Sequence, residues 1–343
     1  MTTTDGAATP GAPRATRHLG LDLGATNLKW AVVEQDAKRW STVARDQVKT
    51  RIGPDPADVP AAVVAQLAEV GGAAVAAHGP VISAGIGVPG LYDPATGATR
   101  FLVNLPGPWA GHPVGGPVGA ALGIPTSLVN DARAFGFAEL RLGAGRGANS
   151  MIGLTLGTGV GGVIVIDGRV VQGRDGTAGE IGHQTLDPDG PSCGCGNHGC
   201  LVADARADRI AAACGTATAE EAVARARAGD PRAVEGLRGV ARRLGVGIAN
   251  VVTLVTPDRI VIGGGVAAGA DLLLEGIRDE LRTRVRTTSL DGVEVVTAEL
   301  GTWAGSIGAA VHGAVMAADA AAEDTGTTGA TRTVTAATVV AAG

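Results

Sequence analysis

The amino-acid sequence predicts an α/β protein built from two similar halves, and three features carry that expectation. A strand–turn–strand unit occurs twice, strands alternate with helical stretches along the chain, and the apolar residues are aliphatic rather than aromatic. Residues 19–33 read LGLDLGATNLKWAVV and residues 152–166 read IGLTLGTGVGGVIVI. Aligned without gaps, both give an apolar residue, Gly, Leu, any residue, Leu and Gly, then a small-residue turn and a β-branched strand. Each reads as a hairpin with a tight turn. The same unit in both halves points to duplication. The 343 residues are 45% hydrophobic but only 2% aromatic, so Val, Leu, Ile and Ala must fill the cores.

After the first hairpin, residues 57–78 carry Ala and Leu at helical spacing. Val81 to Val88 reads as a strand ending at Pro89-Gly90, 114–122 as a short amphipathic helix, and Thr126 to Val129 as a strand ending at Asn130-Asp131. Beyond the second hairpin, 205–213, 218–228 and 232–255 read as helices. Arg259 to Ile262 is a strand running into Gly263-Gly264-Gly265, followed by a helix near 269–286, a strand at Val293 to Ala298 and a last helix at 304–318. Such alternation implies mostly parallel sheets covered by helices, with ligands at the carboxyl ends of strands. The expected division is a small domain over 17–129 and a large one over 130–318, whose final helix can pack back on the small domain. Residues 1–16 and 319–343 offer little to bury and are expected to be disordered, although the Ala-rich part of the tail can extend the last helix.

Net charge is −5, with no dense Lys/Arg patch interleaved with aromatics, which argues against nucleic-acid binding. No apolar run is expected to reach membrane-spanning length, and no charged-then-apolar leader is seen. A cytoplasmic protein without a membrane partner is the expectation.

The most specific local signal is His-x9-Cys-x-Cys-x4-Cys. His183, Cys193, Cys195 and Cys200 lie in GEIGHQTLDPDGPSCGCGNHGC, which supplies three thiolates and an imidazole. That set matches a closed, tetrahedral, structural zinc site. A disulfide framework fits poorly, because Cys193 and Cys195 are one residue apart and the chain has four cysteines in all. Such a site is a staple worth on the order of 10 kcal/mol to local folding.

Polar candidates for chemistry concentrate at strand ends: Asp22, Asn104 in NLPGPW, Asn130, Asp131, and Glu180 and His183 before the cysteine loop. A strand-end Asp facing a cleft is well placed to take a proton from a hydroxyl during phosphoryl transfer. For Asp131 the alternative is a helix N-cap for the segment ARAFGFAEL, and the two roles are compatible. The small turns let backbone N–H groups approach an anion. Gly157-x-Gly159-x-Gly161-Gly162 is not a dinucleotide fingerprint, since a second β-like run follows it rather than a helix, and no G-x4-G-K-[ST] loop occurs.

DLGATNLK, GVPG, NLPGPW, NDARAFGFAE, LGTGVGG, GEIGH, CGCGNHGC and IGGGV appear in this order between about residues 18 and 318. In that order, and with the cysteine motif, the chain resembles the ROK family, bacterial sugar kinases and related repressors. The resemblance implies duplicated actin-like ATPase (ribonuclease H-like) α/β domains with a cleft between them. It further implies an ATP-dependent kinase acting on a primary hydroxyl of a hexose-like substrate, with Mg2+ accompanying ATP. Gly24, Ala25, Thr26, Asn27 and Lys29 would belong to the first phosphate turn, with Asp22 near the magnesium. Thr158 and Gly159 would form the second turn, and Gly263, Gly264 and Gly265 would lie against the adenosine. Gly90, Asn104, Asn130, Asp131, Glu180 and His183 would line the sugar pocket. Asp131 would be the base, and His183 would serve both zinc and a sugar hydroxyl. Homodimers or homotetramers are usual among such relatives.

Two positions depart from the family pattern. Family kinases commonly read GC-x-E after the last zinc cysteine, whereas here Cys200-Leu201-Val202 loses that carboxylate; they also read NDAN, whereas here Arg133 replaces the second Asn. Losing one charged hydrogen bond costs about 1.5–3 kcal/mol. A modified sugar or a carbocyclic sugar mimic, a C7-cyclitol for example, is therefore an alternative acceptor. The rival outside catalysis is a sugar-sensing regulator of the same family.

Overall fold

The structure is a computed structural model that describes residues 15–37, 39–266 and 269–324. The first half comprises β1 (Thr16–Leu23), β2 (Asn27–Asp36), β3 (Arg39–Lys49), α1 (Val59–His78), β4 (Ser83–Val88), β5 (Gly90–Asp93), β6 (Ala98–Leu102), α2 (Gly115–Leu122) and β7 (Thr126–Asn130). Next come α3 (Asp131–Leu142), β8 (Met151–Leu156), β9 (Val160–Ile166) and β10 (Arg169–Val170). The chain continues through α4 (Val202–Ala205), α5 (Ala207–Cys214), α6 (Ala219–Arg227), α7 (Pro231–Val255), β11 (Arg259–Gly263), α8 (Ala270–Arg284), β12 (Glu294–Thr297) and α9 (Ala304–Asp324).

Two five-stranded sheets run β3-β2-β1-β4-β7 and β10-β9-β8-β11-β12. Matched strand for strand, their orders are identical, so the repeat seen in the hairpins extends to whole sheets. In each, the two pairings on the hairpin side are antiparallel and the two beyond are parallel. The expectation of mostly parallel sheets is thus corrected. Each half opens on a meander closed by short turns, which only antiparallel strands can make.

The repeat's alternation explains the layering. Leu19 and Leu21 on β1 are buried in a core with α1, while Ile152 and Leu154 on β8 are buried with α7 and α8. The intervening Gly20 and Gly153 point to the opposite face. A Cβ on Gly20 would lie 1.8 Å from the Ser306 carbonyl of α9, and one on Gly153 would lie 2.6 Å from a Val163 methyl and 3.1 Å from the Phe135 ring of α3. The helices are exchanged: α9 follows the second sheet but packs on β1, β2 and β4, and α3 follows the first but packs on β8 and β9. A third core, including Ala31, Val33, Phe135, Val163, Ile307 and Val311, joins the halves through these two helices.

Pro56–His78 has the length and mean hydropathy (1.6) to cross a membrane, contrary to the expectation that no such run exists. Val59, Val63, Leu67 and Ala74 are nevertheless buried in the core under the first sheet, and alanines supply much of the remaining apolarity. The last helix runs to Asp324, so residues 319–324 are helical rather than disordered. The expectation of disorder for 1–14 and 325–343 lies outside the described residues.

Candidate functional site

Asp22 and Asp131 share one edge of the first sheet. Asp22 pairs with Gly87 on β4, and Val88 pairs with Asn130 on β7. These strands are mutually parallel, so Asp22 and the Asn130–Asp131 junction stand at their carboxyl ends. That spacing of two strands is roughly 10 Å. Burial pushes the Asp22 pKa up to about 6, with Lys29 opposing the rise and Asp131 adding to it. Burial also raises the Asp131 pKa, and Glu180 reinforces it, while the Ala132 N–H and the Arg133 charge pull the other way. Asp131 is crowded by protein atoms, which raises its pKa, yet its side chain keeps an accessible surface.

The cap of α3 is Asn130, not Asp131. Asn130 Oδ1 accepts from the N–H groups of Ala132 (3.0 Å) and Arg133 (3.4 Å), and Asp131 is the first helical residue. One Asp131 oxygen accepts from Ala132 N at 2.9 Å, and the rest of the carboxylate is left for a ligand. Both Asn and Asp are good N-caps, so the sequence pattern could not distinguish them.

Around this point Arg133, Asn130, Glu180 and Gly90 form one network. Arg133 is 1% exposed. Its NH1 donates to Asn130 Oδ1 and Glu180 Oε1, each at 2.8 Å, and its Nε and NH2 donate to the Ala178 carbonyl at 3.1 and 2.7 Å. Asn130 Nδ2 donates to the Gly90 carbonyl at 3.2 Å. Tyr92, on β5 of the β5–β6 flap, is buried, with its pKa raised by that burial against the pull of Arg133. Its hydroxyl faces Gly176 of the loop leading to Glu180, so the flap and that loop close round the network. Asn104 is exposed in the left-handed region, φ 62°. The loop that carries it is anchored by buried Trp109, whose Nε1 donates to the Pro106 carbonyl at 3.0 Å.

The turns are pinned from outside. Gly24 N donates to the Asn27 carbonyl at 3.1 Å, and the Gly24 carbonyl accepts from Thr50 Oγ1 at 2.6 Å. Ala25 and Asn27 are half-buried and Thr26 is exposed. In the second turn Gly157 N donates to the Gly159 carbonyl at 2.9 Å, and the Gly157 carbonyl accepts from Ala207 N at 2.8 Å. Thr158 and Gly159 are exposed at its tip. Gly264, φ 102°, lies against the Leu156 backbone, and Val266 N donates to the Leu156 carbonyl at 3.0 Å. This places Gly263 to Gly265 beside the second turn, with open space over Gly265. Lys29 Nζ donates to the Thr302 carbonyl at 2.9 Å, tying β2 to the segment before α9.

Glu139 escaped the sequence reading. Fully buried on α3, it accepts from the N–H groups of Ala144 (2.8 Å), Glu299 (3.1 Å) and Leu300 (2.9 Å). It thereby fixes the approach to α9, whose second residue, Gly305, sits against the Asp22 carboxylate. The available signal was a lone acid inside the apolar run AFGFAEL.

The four soft donors converge as expected. Ligand atoms of His183, Cys193, Cys195 and Cys200 lie within 4.8 Å of one another. Cys193 Sγ is 3.6 Å from His183 Nδ1, and Cys195 Sγ is 3.8 Å from Cys200 Sγ. Zinc–sulfur bonds near 2.3 Å and zinc–nitrogen bonds near 2.0–2.1 Å give tetrahedral edges of about 3.8 Å for S···S and about 3.6 Å for S···N. The donor set therefore fits zinc. Burial pushes the Cys200 thiol up to about 12, so binding a metal there displaces a proton. With Nδ1 turned to the thiols, His183 keeps Nε2 on its other side.

A duplicated sheet, exchanged helices, an Asn-capped Asp at the carboxyl edge of the first sheet and a Cys3His loop together define a sugar-kinase-like architecture. The chain belongs to the ROK family, whose match covers residues 18–313. A glucokinase from Thermotoga maritima is 32% identical over 311 residues, covering 85% of this chain and 95% of the relative. The ROK hexokinase from Thermus thermophilus has a TM-score of 0.75 at 35% identity, covering 89% of this chain and 100% of that one. A ROK family glucokinase from Streptomyces griseus, solved in complex with glucose and AMPPNP, has a TM-score of 0.71 at 30% identity, covering 87% and 99%. The fold is the actin-like ATPase fold that the order of motifs implied.

Proposed function

We propose that this chain is an ATP-dependent kinase that phosphorylates a primary hydroxyl of a hexose or hexose-like acceptor, with Asp131 as general base. The observation that carries the reading is the state of Asp131. Asn130 does the capping, so Asp131 stands at the sheet edge with a raised pKa, open to solvent and free to receive a proton. A base with a raised pKa takes a proton more readily as the hydroxyl attacks. Likeness to two glucokinases and a ROK hexokinase supports the reaction class.

In this reading Asp22, Gly24 to Asn27, Lys29, Thr158 and Gly159 belong to the phosphate side and Gly263 to Gly265 to the adenosine side. Magnesium accompanying ATP would neutralise phosphate charge, and Asp22 is the residue that would hold it. Asn104, Glu180, His183 Nε2 and the Asn130 N–H orient the acceptor. Closure of the halves excludes water, which otherwise would compete for the phosphoryl group. His183, Cys193, Cys195 and Cys200 would hold a structural zinc ion that braces the loop presenting His183. A cytoplasmic setting goes with the same reading.

A second acceptor class has an observation in its favour. Val202 is 8% exposed and packed in a core with Val160, Ile181 and Leu201, so this position offers no polar partner. A modified sugar or a cyclitol is consistent with that loss. ADP release measured with glucose, mannose, N-acetylated hexosamines, fructose and cyclitols tests both classes. Acceptor-dependent ADP release with hexoses supports the main reading, and turnover confined to cyclitols selects the second. No acceptor-dependent release at all leaves a sugar-binding regulator instead.

A further inference from the structure

We propose that Arg133 is a positioning residue that sets acceptor specificity: it holds Glu180 with one carboxylate oxygen engaged, and it adds a third donor to the capping oxygen of Asn130, so that this side chain has only an N–H to offer. The inference deepens the sugar-kinase reading and rests on it. The guanidinium is buried, and every polar contact it makes is local to this site: Asn130 Oδ1, Glu180 Oε1 and the Ala178 carbonyl. A planar fork with fixed donor directions can bridge two side chains and a loop carbonyl together, which a point-like ammonium does poorly. A buried cation also demands a counter-charge. Glu180 supplies it through the 2.8 Å ion pair, and so is held in place.

The donor and acceptor inventory follows. An amide oxygen has two lone pairs. Asn130 Oδ1 already receives Ala132 N, Arg133 N and Arg133 NH1. Of its two N–H donors, one goes to Gly90, so Asn130 has one N–H to offer and no acceptor. Glu180 is 36% exposed on its side chain, and its Oε2 is the one oxygen left to receive a substrate hydroxyl. Val202 adds nothing. Next to Asp131, the site therefore accepts from one hydroxyl through Glu180 and donates to another through Asn130. A hydroxyl facing Asn130 is recognised as an acceptor only.

Steady-state kinetics on the full chain, with ATP and the best hexose, test this through R133K, R133M, E180Q and the R133M/E180Q double variant. R133M and E180Q should each raise the sugar KM about tenfold or more, the loss expected for one charge-assisted hydrogen bond. Because they act on one contact, the double variant should be little worse than either alone. R133K should fail to restore the parent KM. The KM for ATP should stay within about threefold throughout. Circular dichroism reports folding, and if R133M is unfolded, R133K and E180Q carry the test with matching rises in sugar KM. Folded Arg133 variants with an unchanged sugar KM, or effects that multiply in the double variant, overturn the inference alone. A parent protein inactive with every hexose and every cyclitol overturns the kinase reading, and this inference with it; one active only with cyclitols takes the same variants with the best cyclitol in place of the hexose.

Discussion

In the first sheet the aligned hairpin position holds Asp22, and Gly305, the second residue of α9, lies against its carboxylate. In the second sheet the same position holds Thr155, and both its hydroxyl and Ala132, the second residue of α3, lie against Gly161. The frame is therefore repeated down to which helical turn meets which strand. The chemistry is not repeated. One half carries its acid on the strand and an Ala at the helix start; the other carries a neutral Thr on the strand and Asp131 at the helix start. Because α3 starts directly at the carboxyl end of β7, which runs parallel to β1, both acids stand at the same edge of the first sheet. Duplication supplied two equivalent places, and on the proposed function divergence put one carboxylate beside the phosphates and the other beside the acceptor.

The halves also differ in their loops, which gives the largest expected effect. The first half covers the site with the β5–β6 flap, the second with the Cys3His loop. Chelation of the proposed zinc ion should loosen residues 183–202, by on the order of 10 kcal/mol locally, and raise the sugar KM strongly while the first sheet keeps its hydrogen-exchange protection. Equal loss of protection in both sheets would show that the loop is not a local staple.

Next in size is a pair of matched glycine substitutions. Gly20→Ala drives a methyl into the Ser306 carbonyl at 1.8 Å, whereas Gly153→Ala meets a movable Val163 methyl at 2.6 Å. Urea titration should find Gly20→Ala the more costly, at the upper end of the about 1–3 kcal/mol typical of overpacking, and Gly153→Ala clearly below it. The reverse order would mean that α9 is the more yielding of the exchanged helices. Glu139→Gln comes third. It turns one of two oxygens that receive three N–H groups into a donor, and should cost about 1–3 kcal/mol by the same titration.

The smallest effect is in pH. The Asp22 carboxyl is pushed up to about 6, so it is protonated below that value and ionised above it. The kcat/KM for MgATP should be level above about pH 6 and fall below it by up to about tenfold per unit. Asp22→Asn should remove that limb. Persistence of the limb in the variant would assign it to Asp131, whose pKa is raised in the same direction.

Legibility in the sequence followed range. The two hairpins, the Gly263–Gly265 run and the His183–Cys200 loop were readable because their signals lie within twenty residues or so. Strand β3 was not, since most of its residues are exposed on an edge and no alternation marks it. The β5–β6 flap was missed too, its strands being only four and five residues long. Arg133 was legible as an unusual residue but not as a buried bridge, since Ala178 and Glu180 lie 45 and 47 residues away. The helix exchange was half visible. A final helix returning to the first domain could be foreseen, but the reciprocal placement of α3 depends on Gly153 and Val163, which only the folded chain brings to it.

The most direct measurement is single-turnover phosphoryl transfer to the preferred acceptor in Asp131→Asn and Thr155→Val, with nucleotide affinity measured alongside. The two halves being alike in frame and unlike in chemistry, Asp131→Asn should slow transfer by about 10² to 10⁴ with nucleotide affinity kept, and Thr155→Val should leave the rate near that of the parent. An Asp131→Asn protein that transfers phosphate at the parent rate would contradict the assignment of the base.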